Sequence, residues 1–166
     1  TCIMNDSIKE FKMITKNKCN FCVEWENNYN KYTNFTEKKI IDNLSEIKRK
    51  ILFTKNNNKY DCVIGLSGGT DSSYVVYQAW KLGLNPVIIH MDNGWNSKTS
   101  NYNINKILDK TKFDFKTLIL NWSEFKDLQR SFLKAGVPDI ELVTDHAIFA
   151  YIINYALKEN IKFIIS

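Results

Sequence analysis

The chain has 166 residues, 44% hydrophobic and 25% charged, with a formal net charge of +5 at neutral pH. This hydrophobic content supports a core and excludes wholesale disorder, and the length fits one α/β domain or a smaller domain with an appendage. The longest apolar stretch, residues 147–153, is far shorter than the roughly 20 residues that span a bilayer. The sequence contains no block of like charges, which is the pattern typical of a nucleic-acid-binding arm. The sequence predicts a cytoplasmic protein without a membrane span. Its net positive charge indicates either a lysine-rich solvated surface or a basic funnel for a polyanionic substrate.

The two ends of the chain indicate a piece of a longer protein. It begins at Thr1 and stops at Ser166, directly after the apolar run 163–165. A sheet domain rarely ends in mid-strand, so we expect its C-terminal part to be missing. We divide the sequence into a cysteine segment (1–35), a linking helix (36–59) and a strand–helix domain (60–166).

Three of the four cysteines lie in the first segment. Cys19 and Cys22 form a C-x-x-C knuckle, and Cys2 lies 17 positions before Cys19. In a reducing compartment such thiols indicate a metal before a disulfide, and zinc needs four thiolate or imidazole ligands. We therefore expect zinc on Cys2, Cys19 and Cys22 with a fourth ligand upstream; a redox pair or incidental thiols are the alternatives. Cys62 opens a strand and is expected to be buried and inert.

The next elements follow from hydrophobic periodicity. Apolar residues at three- and four-residue steps predict a helix over 36–56, capped by Thr36. Short apolar runs then alternate with amphipathic stretches, which predicts a doubly wound parallel sheet, an α/β fold. The predicted strands are 62–66, 86–91, 115–120 and 162–165, and the helices are 72–82, 101–110, 123–134 and 144–158. We expect Ser123 to cap the third of these helices, and the fourth, which is nearly all apolar, to be buried with its N-terminus at the sheet edge.

The turn after the first strand of this domain is suited to phosphate. Gly68 and Gly69 lack side chains, so their amides can approach an anion closely. The turn runs into a helix, whose free N–H groups and dipole favour phosphate. The kinase-type pattern with its lysine is absent. Asp71 stands in the turn instead, and Mg²⁺ between this carboxylate and the phosphates would remove the repulsion.

Two further places lie where the fold would put ligands, at or near the carboxyl ends of strands. The second strand ends in His90-Met91-Asp92, followed by Asn93-Gly94-Trp95-Asn96. Asp92 is a candidate for ribose or metal, with a simple turn as the alternative, and His90 is interpreted mainly as a packed strand residue. Thr144-Asp145-His146 opens the last helix and is a candidate for substrate or metal contact. Trp95 and Trp122 are expected either to stack on a ligand or to pack.

Residues 67–72, Ser-Gly-Gly-Thr-Asp-Ser, are similar to the Ser-Gly-Gly-x-Asp-Ser signature of the PP-loop ATP pyrophosphatases. That resemblance implies cleavage of ATP between the α and β phosphates, with pyrophosphate held in the loop. It implies catalytic roles for Asp71, Asp92 and Asp145 and a magnesium ion at Asp71. The implied cofactor-binding residues are Leu66, Ser67, Gly68, Gly69, Thr70, Asp71, Ser72, Ser73, His90, Met91 and Asp92.

The order of motifs resembles a narrower family, the N-acetyl sugar amidotransferases of bacterial surface-polysaccharide (lipopolysaccharide) biosynthesis. The cysteine knuckle, Gly-Leu-Ser-Gly-Gly-Thr-Asp-Ser-Ser, His-Met-Asp-Asn-Gly-Trp-Asn-Ser and Thr-Asp-His carry that resemblance over nearly the whole chain. It implies that ATP adenylates the acetamido oxygen of a nucleotide- or lipid-linked sugar, and that ammonia from a partner class I glutaminase subunit displaces AMP. Nucleic acid is not an expected partner. The implied substrate residues are Trp95, Asn96, Thr144, Asp145 and His146.

Three alternatives stay open. A PP-loop tRNA-modifying enzyme, of thiolation or lysidine type, would use the same activation on a base carbonyl. A nucleotide-binding module without catalysis is the second. The third is an α/β-hydrolase, because residues 65–69 also fit G-x-S-x-G; Ser67 would then be the nucleophile, with His146 and either Asp92 or Asp145.

Overall fold

The computed structural model describes residues 2–33, 36–55 and 57–166. The chain divides into two compact units, residues 1–44 and 45–166. None of the helices within the described ranges is long and apolar enough to cross a membrane.

The first unit contains a hairpin and a helix that the sequence analysis did not predict. Strands β1 (Met13–Thr15) and β2 (Lys18–Cys19) pair antiparallel and lead into helix α1 (Asn20–Thr33). Asn20 fixes the preceding chain, because its side chain accepts from the Lys12 N–H at 2.9 Å and donates to the Glu10 carbonyl at 3.1 Å. The knuckle therefore stands on a hydrogen-bonded support.

Helix α2 (Glu37–Thr54) follows. The Thr36 hydroxyl accepts from the Lys39 N–H at 3.3 Å, which is the predicted N-cap. Ile51 is the buried residue of this helix.

The second unit is built on a four-stranded parallel sheet in the order β5-β4-β3-β6. The strands are β3 (Val63–Gly65), β4 (Val87–Asp92), β5 (Asp114–Ile119) and β6 (Ile164–Ile165). The helices are α3 (Thr70–Lys81), α4 (Lys98–Thr111), α5 (Trp122–Ala135) and α6 (Leu142–Lys158). Since β3 lies between β4 and β6, the strand order reverses at β3, and ligands of such sheets bind at the carboxyl ends of the strands at this point. The predicted α/β fold with a parallel sheet is confirmed.

Hydrophobic side chains cover both faces of the central strands, as expected for a parallel sheet. Ile64 and Ile88 pack on one face with residues of α2, α3 and α4. Val63 and Ile89 pack on the other face with α6. Each such buried side chain stabilises the fold by roughly 1.5–3 kcal/mol, so the carboxyl edge of β3 and β4 is held on a rigid support.

Two predictions about the last helices were wrong. Helix α5 begins at Trp122 and is capped by Asn121, whose side chain accepts from the Ser123 N–H, so Ser123 is not the cap. Helix α6 begins at Leu142 and buries fully only Ile152 and Ala156. Its remaining apolar side chains are partly buried on the side that faces the sheet and exposed on the other, Leu157 by 72%, because a helix lying on one face of a sheet can bury only one side of itself.

Candidate nucleotide-binding site

Gly68 occupies a backbone position that only glycine fits. Its φ is +79°, in the region that a Cβ disfavours. A Cβ here would also lie 2.7 Å from the Ser100 hydroxyl and closer still to the Ser100 carbonyl oxygen. The turn after β3 therefore lies directly against the first turn of α4.

Two side chains of α4 hold the carbonyl groups of this turn. The Ser100 hydroxyl donates to the Ser67 carbonyl, and the Asn103 amide donates to the Gly68 carbonyl at 2.9 Å. Because a trans peptide points a carbonyl and the next N–H in opposite directions, the Gly68 and Gly69 amides face away from α4. Their direction is set before any ligand binds.

Helix α3 begins at once after this turn. Its N-cap is Gly69, which provides no side-chain cap hydrogen bond to the first N–H groups of the helix. These N–H groups also have no carbonyl partner within the helix. The Ser73 hydroxyl donates to the Gly69 carbonyl at 2.6 Å. A row of main-chain donors with a favourable dipole therefore ends the turn, an arrangement that binds phosphate.

The serine hydroxyls of the turn bond one another. Ser67 Oγ and Ser72 Oγ are 3.0 Å apart, and Ser72 Oγ also accepts from the Ser67 N–H at 3.2 Å. Asp71 is exposed in the first turn of α3, where its carboxylate is accessible to a hydrated cation. Thr70 is likewise exposed.

A cavity of about 600 Å³ adjoins the turn, within the range of small-molecule sites. Gly68, Gly69 and Thr70 form one end of it, and Asn103 and Lys106 of α4 lie across. Ser100, Asn103 and Lys106 were not among the residues predicted for the site. Their spacing at three-residue steps on one helix was the available signal.

The end of β4 is tied to the same turn through His90. The buried imidazole bonds the Leu66 carbonyl through Nδ1 at 2.8 Å and the Asn96 amide nitrogen through Nε2 at 3.1 Å. Since a carbonyl only accepts, Nδ1 carries the proton and Nε2 accepts from Asn96. Asn96 also donates to Asp92 Oδ1 at 3.2 Å. His90 therefore joins the start of the turn after β3 to the turn after β4.

The Asp92 carboxylate also closes its own turn by accepting from the Gly94 N–H at 2.9 Å. Leu66 and Met91 are buried, at 1% and 7% exposed. Of the predicted cofactor-binding set, these two can therefore offer a ligand mainly their backbone groups.

Trp95 and Trp122 pack around Phe125. Their ring centroids lie 5.2 Å and 6.1 Å from that of Phe125, and each indole stays about half exposed, at 53% and 50%. A Cβ on Gly94 would touch the Trp122 ring at 3.4 Å. The packing interpretation is thus observed for both residues, and their exposed faces remain free to meet a ligand.

The structure does not bring Thr144, Asp145 and His146 into hydrogen-bond contact with the turn, as far as the described residues show. They lie in the first turns of α6, and His146 Nδ1 donates to the Leu142 carbonyl at 2.8 Å. Ser67 Oγ bonds Ser72 rather than a histidine. These contacts give no support to the hydrolase triad.

The three N-terminal cysteines come together, with every sulfur within 4.8 Å of the others and Cys2 Sγ 3.5 Å from Cys19 Sγ. Four sulfurs about 2.3 Å from zinc lie about 3.8 Å from one another in a tetrahedron, so the separations fit three of the four ligands. The backbone N–H of Cys22 lowers the pKa of the Cys19 thiol, which favours the thiolate that binds metals. Burial raises the pKa of the Cys62 thiol to about 12, which agrees with its predicted inertness.

No protein-family model matches the chain, and no curated protein matches it. Solved structures do. An NH3-dependent NAD synthetase from Campylobacter jejuni, in complex with the nitrate ion, superposes with a TM-score of 0.53 at 16% identity, over 72% of this chain and 53% of that one. A glutamine-dependent NAD+ synthetase from Acinetobacter baumannii, in complex with ADP, superposes with a TM-score of 0.53 at 15% identity, over 72% and 25%.

The likeness is one of fold. At such identities it shows the same α/β architecture with a parallel sheet. The chain spans about half the length of the first of these structures.

Proposed function

We propose that this chain carries the ATP-binding part of an AMP-forming, ATP-dependent amidotransferase that converts the acetamido group of a sugar into an acetamidino group. The observation that carries the proposal is the turn at 67–69, whose carbonyls are held by α4 while its amides face away. ADP and nitrate, the ligands named with the two NAD synthetases of this fold, are both anions.

ATP would bind with its β and γ phosphates on the amides of Gly68, Gly69 and the first turn of α3. Asp71 would hold Mg²⁺, which neutralises phosphate charge when bound. The adenosine would lie along the carboxyl end of β4, where the backbone beside Met91 and the Asp92 carboxylate are available. His90 would keep the two turns in register.

The chemistry has two steps. The acetamido oxygen attacks the α phosphate, and the bond to pyrophosphate breaks, so that pyrophosphate leaves while held at the turn. Ammonia then attacks the activated carbon, and the carbon–oxygen bond breaks with AMP as the leaving group. An amide oxygen leaves poorly until it is joined to phosphate, which is why ATP is consumed.

The remaining assignments extend the same proposal. A separate class I glutaminase subunit would supply the ammonia, and the substrate would be a nucleotide- or lipid-linked N-acetyl sugar in the cytoplasm. Trp95, Asn96 and the segment Thr144-Asp145-His146 are the proposed sugar contacts. Asp92 and Asp145 remain proposed catalytic acids.

The experiment that tests this function incubates the protein with ATP, Mg²⁺, ammonia and UDP-linked N-acetyl sugars, and separately with tRNA. We expect AMP and pyrophosphate in equal amounts with a sugar, and loss of both in Ser67→Ala and Asp71→Ala. Asp127→Ala, an exposed aspartate on α5, is the control and should leave the rate unchanged. AMP formed only with tRNA, or formed equally by both site variants, would contradict the proposal.

We also propose that Cys2, Cys19 and Cys22 bind one zinc ion together with a fourth ligand. Metal analysis of the purified protein should give one zinc per chain, and Cys19→Ser should lower this occupancy strongly. Cys62→Ser, which changes the buried thiol outside the cluster, should keep the zinc. A folded protein free of metal would refute the site.

A further inference from the structure

A row of aromatic side chains lies exposed on α3, directly beyond the turn at 67–69, which we call the phosphate turn. Tyr74, Tyr77 and Trp80 follow one another at three-residue steps and are 60%, 47% and 41% exposed. Their neighbouring ring centroids are 6.2 Å and 6.3 Å apart. Another face of this helix packs into the core through Val76 and Ala79. Core packing therefore does not account for these three rings.

Helix α4 places cations opposite this row. Lys106 Nζ lies 5.4 Å from the Tyr102 ring centroid, and Lys110 Nζ lies 5.8 Å from that of Trp80. We call the surface formed by Tyr74, Tyr77, Trp80, Tyr102, Lys106 and Lys110 the aromatic–lysine groove.

The groove is continuous with the larger cavity, which adjoins the turn at 67–69 on its α4 side. A second cavity of about 220 Å³ is lined by Tyr77, Trp80 and Lys110 and shares Ser73, Lys106 and Ile107 with the larger cavity. Neither lining contains an acidic residue. The nearest acids in sequence, Asp71 and Asp109, are exposed and outside both linings. The groove is therefore suited to a ligand that is both aromatic and anionic.

The size of the groove favours a single nucleotide over a nucleic acid strand. Tyr74 and Trp80 are six positions apart, which is about 9 Å along a helix. Binding surfaces for single strands track about 4–16 nucleotides, which this surface is too short to hold. Stacking on aromatic rings accepts any base, and lysines supply the charge for a diphosphate.

We propose that the aromatic–lysine groove binds the nucleoside diphosphate part of a nucleotide-linked substrate. The base lies against Tyr77 and Trp80, and the diphosphate lies beside Lys106, so that the sugar end points to the phosphate turn. This inference rests on the proposed amidotransferase function, and it assigns the acceptor substrate a place distinct from that of ATP.

Calorimetric titration with UDP as the probe tests the groove. We expect Tyr77→Ala and Trp80→Ala each to weaken UDP binding about tenfold or more, and Tyr77→Phe to retain it because stacking is kept. Lys106→Ala should weaken binding and flatten its dependence on salt. Phe53→Ala and Lys126→Ala, which change an exposed ring and an exposed lysine outside the groove, should bind UDP as the unmodified chain does.

A parallel titration with an α,β-methylene analogue of ATP separates this proposal from the proposed function. The analogue should lose affinity in Asp71→Ala and keep it in Tyr77→Ala and Trp80→Ala. Equal UDP affinity in all variants would overturn the groove and leave the function standing, whereas analogue binding indifferent to Asp71→Ala would count against the function alone.

Two further outcomes would also overturn the groove. The first is competition between UDP and the analogue, with both weakened by Tyr77→Ala, which would place the base of ATP itself in the groove. The second is a 12-nucleotide single-stranded RNA that binds more tightly than UDP and responds to the same variants, which would make the surface a nucleic-acid platform.

Discussion

Gly68 is subject to two separate constraints, its positive φ and the nearness of Ser100. Gly136, which ends α5 at φ +66°, has the first constraint without the second, since a Cβ there would meet nothing within 4 Å. Comparing substitutions at the two glycines thus distinguishes the cost of backbone strain from the cost of steric crowding.

We expect Gly136→Ala to lower the free energy of unfolding by about 1–2 kcal/mol, the cost of a side chain in left-handed backbone. Gly68→Ala should lower it further and should also remove binding of the ATP analogue, because the turn must move away from α4. Urea denaturation and calorimetric titration measure the two effects. Gly68→Ala with normal nucleotide affinity would show that the turn is not the phosphate site.

At the level of elements, His90 is the side chain that joins β4 to the turn after β3. Replacing it by phenylalanine keeps a ring beside Phe115, which lies 6.3 Å away between centroids, but leaves the Leu66 carbonyl without its donor. An unpaired buried acceptor costs about 1–3 kcal/mol.

His90→Phe should therefore lower the free energy of unfolding by about 1–3 kcal/mol and weaken binding of the ATP analogue. His146→Phe is the matched control, since this exposed histidine bonds only within its own helix among the contacts described. Its stability should change by less than about 0.5 kcal/mol. If the two variants were equally stable in urea, the bridging role of His90 would be wrong.

The sequence predicted the strand–turn–helix around the glycines because that signal is local. It did not reveal Ser100 and Asn103, because their bonds to the turn cross 33 and 35 residues of chain. Composition misled at α6, because its apolar stretch predicts a buried helix whereas the sheet covers only one side of it. The hairpin that ends at Cys19 was missed because its strands have three and two residues, too few to show a period.

Across the whole second unit, the amino ends of β3 and β5 are linked by a polar cluster. Asp114 Oδ2 accepts from Tyr60 Oη at 2.7 Å and pairs with Lys59 Nζ at 2.6 Å. Hydrogen bonds from Lys59 and then Tyr60 lower the pKa of the Asp114 carboxyl. The hydrogen bond with Asp114 raises the pKa of Lys59, and it likewise raises that of Tyr60.

These directions fix how stability depends on pH. A lowered carboxyl pKa stabilises the fold above the ordinary value of 3.8, and this contribution is lost as the pH falls through the folded pKa. A raised lysine or tyrosine pKa acts below its ordinary value, 10.5 or 10.0, and is lost as the pH rises through the folded pKa.

We therefore expect thermal stability to decline both in acid, below about pH 4, and in strong base, above about pH 10. Asp114→Asn should reduce the contribution of this cluster to both limbs, the acid and the base decline, of the curve of melting temperature against pH. Melting temperatures between pH 2.5 and 11 measure this. Unchanged limbs in Asp114→Asn would assign the pH dependence to other groups.

The hydrogen bonds from Ser100 and Asn103 have a kinetic consequence. A segment whose main chain is already fixed from behind has little conformational entropy left to lose when an anion arrives, so association needs no slow ordering phase. Nucleotide binding should then give a single fast phase in a rapid-mixing experiment. Asn103→Ala should add a slower second phase.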